Sequence, residues 1–142
     1  MQEKQLGPES IKKALEFGAK RIGHGVRCLE DSNLVGELIQ KEIPLEICPI
    51  SNLQTKATGE KHPIEELYRA GLKTTISPDN DTVSNTNIIE EYKYVLENTN
   101  LTTEDLRNMN INAIRGAFIS PQKKAELISK ISMREEDKNI QK

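Results

Sequence analysis

The chain has 142 residues, of which 35% are hydrophobic and 30% are charged, and its formal net charge is −2. This length suits one domain of ordinary size. Tryptophan is absent, aromatic residues make up only 4%, and no basic block occurs. This composition argues against nucleic acid and anionic membranes as partners, because both are bound through clustered positive charge or aromatic stacking.

Cysteine usage and hydropathy predict a cytoplasmic protein. The two cysteines, Cys28 and Cys48, do not form a CxxC pair and are too few for a disulfide framework. We therefore expect both thiols to be reduced. No apolar run in the sequence has the length of a membrane span or of a signal-peptide core.

Apolar periodicity and turn residues predict helices that alternate with short strands, followed by further helices. The predicted helices cover 7–19, 32–41, 63–70, 84–97, 101–118 and 120–132, and the predicted strands cover 20–26, 43–49 and 72–77. The polar stretch 51–61 is expected to be a loop. Residues 1–132 are expected to form the domain, and 133–142 a solvated tail.

Strands that are separated by helices predict an α/β fold with a parallel sheet and right-handed crossovers. In such a sheet the carboxyl ends of the strands meet at one edge, where α/β enzymes bind ligands. The three strand ends carry His24 between two glycines, the segment Glu46–Asn52, and Asp79 followed by Asn80 and Asp81. Their convergence on one edge predicts a functional site.

Each of these residues also has a structural interpretation. The segment Pro78–Asp81 has the composition of a turn and a helix N-cap. A single histidine is more often structural than catalytic, and we assign His62 to a helix N-terminus. Glu46 could be buried and paired, or could face solvent. Cys28 is expected to be inert, and Cys48 to be a small buried filler.

Three motifs, in this order, carry a resemblance to a known family. They are Arg21-Ile-Gly-His-Gly25, Glu46-Ile-Cys-Pro-Ile-Ser-Asn52 and Asp79-Asn-Asp-Thr-Val-Ser-Asn-Thr86. With them, residues 7–132 resemble the C-terminal part of adenosine deaminase, most closely the bacterial type.

The resemblance implies the last three strands of a (β/α)₈ TIM barrel, which binds one zinc ion and hydrolyses adenosine or deoxyadenosine, releasing ammonia. It assigns His24 to orienting and helping to deprotonate the attacking water. Asp79 matches a zinc ligand that also holds this nucleophile. Asn80 matches a position that forms a hydrogen bond with the purine ring.

The chain departs from the family in what it lacks. The H-x-H pair that gives two zinc ligands is absent, and so is the H-A-G-E motif that gives a third ligand and a catalytic glutamate. A complete barrel takes ~250 residues. Pro78 also stands where the family usually has threonine. We therefore expect the chain alone to be inactive and to bind zinc poorly.

Three interpretations remain open at this stage. The chain could be a segment of an adenosine deaminase that needs an N-terminal half, as in a split or truncated gene. It could be a non-catalytic remnant that acts, if at all, by oligomerising or by binding a partner half. It could also belong to a related deaminase that acts on adenine or AMP.

Overall fold

The structure is a computed structural model that describes residues 7–80 and 85–140, with side chains as far as residue 132. Three β-strands and seven α-helices make up the described chain. The strands are β1 (Ile22–Gly23), β2 (Pro44–Ile47) and β3 (Lys73–Ile76). The helices are α1 (Pro8–Glu16), α2 (Ser32–Gln40), α3 (Pro49–Gln54), α4 (Ile64–Arg69), α5 (Ile88–Asn98), α6 (Thr103–Gly116) and α7 (Pro121–Ile140), and a 3-10 helix covers Val26–Glu30.

Short polar side chains define where several of these helices begin. Asp31 caps α2 by accepting hydrogen bonds from the backbone N–H groups of Asn33 and Leu34. Asn87 caps α5 in the same way, and Thr102 forms a capping box with Asp105 at the start of α6. Such caps satisfy N–H groups that have no partner within the first turn of a helix.

The sheet is parallel, with the strand order β1-β2-β3. Its register aligns Ile22 with Leu45 and Leu45 with Thr74. The next row aligns Gly23 with Glu46 and Glu46 with Thr75, so these three residues share the opposite face of the sheet. This confirms the predicted parallel α/β sheet and brings the carboxyl ends of all three strands to one edge.

A single apolar core joins the sheet to the helices. Its fully buried members come from strand β2 and from the surrounding helices. They include Leu34, Leu38, Leu45, Ile47, Ile64, Leu67, Val95 and Met109. Removing such a side chain from water contributes roughly 1.5–3 kcal/mol, so the core holds the strand ends in fixed relative positions.

The structure differs from the expected elements in three places. The predicted loop 51–61 begins inside helix α3, because Pro49 occupies its first turn, a position that suits proline. Strand β1 contains only two residues and leads into the 3-10 helix. Helix α7 continues to Ile140, beyond the predicted end at Ser132.

Two further expectations concern the end of β3 and the membrane. Asp81 and the predicted start of α5 at Ser84 lie outside the described residues, and the described helix begins at Ile88. Among the helices that the structure describes, none has the length and apolar character needed to cross a bilayer.

Candidate active site at the carboxyl ends of the strands

His24 lies in a tight turn directly after β1. Its backbone N–H donates to the carbonyl of Glu46 at 2.8 Å, which extends the β1–β2 pairing by one residue. The φ angles of His24 and Gly25 are 59° and 69°, both in the left-handed region. A Cβ atom at Gly25 would lie 3.0 Å from a methyl carbon of Leu45, so both this close contact and the left-handed φ angle favour glycine there. Left-handed non-glycine residues cost about 1–3 kcal/mol and concentrate at functional sites.

Asp79 follows β3 and faces the same edge of the sheet. The N–H of Ser77 donates to the carbonyl of Ile47 at 2.9 Å, so the β2–β3 pairing extends towards Asp79. The hydroxyl of Ser51, on α3, donates to Oδ2 of Asp79 at 2.6 Å. The same Oδ2 lies 3.9 Å from Nε2 of His24. The structure therefore brings together residues that follow all three strands, which confirms the predicted convergence.

A chain of hydrogen bonds lies behind His24. Nδ2 of Asn52 lies 3.0 Å from Nδ1 of His24, and Oδ1 of Asn52 lies 3.1 Å from Nε2 of His62. Nδ1 of His62 accepts a hydrogen bond from the N–H of Ile64 at 3.1 Å. His62 thus lies at the start of α4, as expected from the sequence. Its link to His24 through Asn52 is absent from the sequence-based interpretation.

Burial keeps His62 uncharged. Its side chain is almost completely buried, and this burial lowers its pKa to about 4, with a smaller contribution from the charge of His24. His62 is therefore neutral at pH 7 and can donate from only one ring nitrogen.

Glu91 is a second residue that the sequence-based interpretation misses. This fully buried carboxylate on α5 accepts a hydrogen bond from the N–H of Ile50 at 3.0 Å, and the hydroxyl of Thr86 lies 3.4 Å from its other oxygen. Burial raises the pKa of Glu91, although these two hydrogen bonds oppose the shift. The only indication in the sequence is a glutamate among the apolar positions of an amphipathic helix.

The other candidates, Glu46 and the two cysteines, have contacts that suit a structural role. Glu46 combines both expected alternatives, because it is half-exposed and also pairs with Arg21 at 3.2 Å. Cys28 and Cys48 are free and buried, which confirms the predicted burial of Cys48. Burial raises the pKa of Cys28 to about 11 and that of Cys48 to about 12, so both remain protonated thiols at neutral pH.

The polar groups at this edge supply only part of a metal site. Asp79 offers a carboxylate, and Asn80, next to it, is exposed. Within residues 7–80 and 85–132, no group of three or more His, Cys, Asp or Glu side chains could hold a metal ion. A catalytic zinc site typically takes three protein ligands. The described residues therefore fit one part of such a site and do not complete it.

Comparison with known proteins decides the family. A family model described as adenosine deaminase matches residues 3–134. The chain belongs to the adenosine deaminase family. An adenosine deaminase of Haemophilus ducreyi is 41% identical over 130 residues, a match that covers 90% of this chain and 38% of that protein. The chain thus spans about two fifths of the length of the deaminase that it matches.

Solved structures agree with this assignment. An adenine deaminase from Arthrobacter aurescens is 25% identical and superposes with a TM-score of 0.89, covering 94% of this chain and 42% of its own. An amidohydrolase from Burkholderia ambifaria, solved with bound zinc, is 19% identical with a TM-score of 0.83, covering 94% of this chain and 38% of its own. The second likeness concerns the fold alone. The three parallel strands and their helices are a portion of the TIM barrel of these two proteins, which confirms the predicted fold.

Proposed function

We propose that this chain is the C-terminal part of a zinc-dependent adenosine deaminase, which converts adenosine to inosine and ammonia once the rest of the barrel is supplied. The observation that carries the proposal is the meeting of His24, Ser51 and Asp79 at the carboxyl ends of three parallel strands. Family membership supports the reaction type. We further propose a role in purine metabolism and a cytoplasmic location.

The residues of this chain take distinct roles in the proposal. Asp79 would be one zinc ligand, and the Ser51 hydroxyl fixes the rotation of its carboxylate. Zinc, when bound, lowers the pKa of a water molecule to ~7. His24 orients the attacking water. Asn80 forms a hydrogen bond with the purine ring.

The isolated chain is expected to be inactive. Neither H-x-H nor H-A-G-E occurs in the sequence, and the described residues do not form a three-ligand metal group. The missing ligands and the glutamate that protonates the purine would come from an N-terminal half. Activity therefore belongs to the assembled barrel.

The test is adenosine-to-inosine conversion by residues 1–142 with added zinc, alone and co-expressed with the N-terminal half of a bacterial adenosine deaminase. We expect turnover only in the co-expressed sample. Turnover by the chain alone would show that another set of groups holds the metal. Absence of turnover in both samples, with the two halves shown to associate, would favour the non-catalytic remnant.

A related substrate is the second candidate. The structural likeness to an adenine deaminase, at 25% identity, favours a purine base as an alternative to the nucleoside. Adenine, AMP, deoxyadenosine and adenosine should be compared at equal concentration in the co-expressed sample. A higher kcat/KM for adenine or AMP than for adenosine would assign the chain to that related activity.

A further inference from the structure

The hydrogen bonds behind His24 have only one consistent set of donors and acceptors. The N–H of Ile64 can only donate, so Nδ1 of His62 must be the acceptor and carry no proton. Because buried His62 is neutral, its proton is on Nε2, which faces Asn52 at 3.1 Å. The group of Asn52 that faces this N–H must therefore be the carbonyl oxygen.

The orientation of Asn52 then determines the state of His24. With Oδ1 accepting from His62, the NH₂ group of Asn52 points at Nδ1 of His24, 3.0 Å away. The reverse orientation of the amide would set two donors against each other at His62. An amide NH₂ cannot accept a hydrogen bond, so Nδ1 of His24 is unprotonated. Asn52 is fully buried, which makes an unpaired alternative costly.

We infer that Asn52 and His62 are positioning residues that hold His24 in the neutral tautomer with its proton on Nε2, the nitrogen that faces Asp79. The backbone N–H at the start of α4 fixes the donor and acceptor atoms of two buried side chains, and these in turn fix the protonated nitrogen of the half-exposed His24 ring. None of these steps uses a metal or a substrate.

This inference rests on the proposed function and specifies the role of His24 within it. The Nε2–Asp79 distance of 3.9 Å exceeds that of a direct hydrogen bond. In this tautomer, His24 orients the attacking water by donating a hydrogen bond to its oxygen, while Nε2 cannot accept the water's proton. Orientation is thus the role of His24, and proton acceptance belongs to another group of the assembled site.

The tautomer can be measured directly because the sequence has only two histidines. Residues 1–142 are labelled with ¹⁵N-histidine, and the ring nitrogen shifts at pH 7 distinguish protonated from unprotonated nitrogens. We expect both rings to carry a single proton on Nε2. A proton on Nδ1 of His24, or an averaged mixture of the two tautomers, would overturn the inference.

Variants of Asn52 and His62 test whether these two residues set the tautomer of His24. Asn52→Asp exchanges the donor that faces His24 for an acceptor, so His24 should then carry a proton on Nδ1. His62→Leu should leave His24 as a mixture of tautomers, whereas His62→Gln, which keeps an N–H for Asn52, should restore the wild-type pattern. The matched control is Ser51→Ala on the same helix, which loses the bond to Asp79 and should leave both tautomers unchanged.

Two results with the variants would also contradict the inference, and neither depends on the proposed activity. Unchanged ¹⁵N ring shifts of His24 in Asn52→Asp would show that Asn52 does not set its tautomer. Identical His24 shifts in folded His62→Leu and His62→Gln would show that His62 does not set it. If His62→Leu does not fold, Asn52→Asp decides the question. These spectra require no zinc, partner half or turnover, so a failure of deaminase activity leaves their result intact.

Discussion

At the scale of single residues, His24 and Asp79 have separable roles in the proposed site. Asp79 offers a carboxylate that is fixed by Ser51, whereas His24 is held in a strained turn with its Nε2 towards that carboxylate. A metal ligand and a water-orienting group should respond differently to truncation. Metal content and turnover, measured together on the same variant, distinguish the two roles.

The first prediction concerns Asp79→Ala in the co-expressed protein. Loss of one of the few protein ligands should remove most of the bound zinc and abolish turnover. Zinc content is measured by atomic emission after gel filtration. Tight zinc at wild-type stoichiometry in this variant would contradict the assignment of Asp79 as a ligand.

The second prediction concerns His24→Ala in the same protein. The zinc content should remain that of the wild type, and kcat should fall by about 10²-fold or more, because the attacking water loses the group that orients it. Steady-state kinetics and metal analysis are performed on one preparation. Unchanged kcat would exclude His24 from the mechanism.

The third prediction concerns Glu91, whose pKa is raised in the folded state by burial. A carboxyl group with a raised folded-state pKa stabilises most below its unfolded pKa, and this contribution is lost as the pH rises through the folded value. The free energy of unfolding of the wild type should therefore fall, relative to Glu91→Gln, as the pH rises above ~4.3, the unperturbed glutamate value. Urea unfolding of both proteins across this range measures the difference.

Glu91→Leu is the companion variant. It removes the acceptor of the partly buried Ile50 N–H and should lower the free energy of unfolding by about 1–3 kcal/mol at pH 7. Parallel pH profiles for the wild type and Glu91→Gln would show that the carboxyl pKa does not change on folding.

The sequence was sufficient to predict that some residues of the candidate site meet at one edge of the sheet, and insufficient for others. His24 and Asp79 were predicted because each follows a strand, and parallel strands bring their ends together. The partners of Asn52 lie 28 and 10 residues away, and Ile50, one partner of Glu91, lies 41 residues away from it. Which polar groups meet across such separations depends on how α3, α4 and α5 pack, and residue patterns along the chain do not determine that packing.

At the scale of elements, β3 carries two adjacent threonines that differ in whether the hydroxyl group has a hydrogen-bond partner. Thr75 donates from its hydroxyl to the carbonyl of Leu45 at 3.2 Å. The hydroxyl oxygen of Thr74 is buried and has no hydrogen-bond partner among the described residues. A buried unpaired polar group costs free energy, whereas a buried paired one contributes modestly.

The fourth prediction follows from this contrast. Thr74→Val, which keeps the shape of the side chain, should raise the free energy of unfolding by about 1–3 kcal/mol, and Thr75→Val should lower it by about 1 kcal/mol. Chemical denaturation of the 142-residue chain measures both. A loss of stability in Thr74→Val would indicate that a water molecule satisfies this hydroxyl.

Periodicity predicted the strands and most helices, but it did not predict α3. The segment from Pro49 to Gln54 contains too few apolar residues to show a helical face, and it begins with a proline after a buried strand. Its helix is stabilised by tertiary contacts, such as the bond from the Ile50 N–H to Glu91. Tertiary packing therefore contributes more to the formation of α3 than its local helix propensity does.

At the scale of the whole molecule, the sheet has the arrangement of an open barrel segment. Among the described residues, β1 and β3 each pair only with β2. Unpaired strand edges expose N–H and C=O groups that attract further strands. In the proposed assembly, strands of an N-terminal half cover both edges.

The fifth prediction concerns these two edges. Amides of β1 and β3 should exchange with deuterium more slowly when the N-terminal half is bound, because their free edges become paired. Amides of β2 are already paired on both sides and serve as the internal control. Association of the halves without slower exchange at either edge would contradict barrel completion.

The two buried thiols allow the rate of local opening of this chain to be measured at two places. Cys28 and Cys48 are protonated and shielded in the folded state, so an alkylating reagent reaches them only after the surrounding structure opens. Cys28 reports on the 3-10 helix and Cys48 on the turn into α3. The alkylation rate of each thiol would therefore show which side of this barrel segment opens first, without any added label.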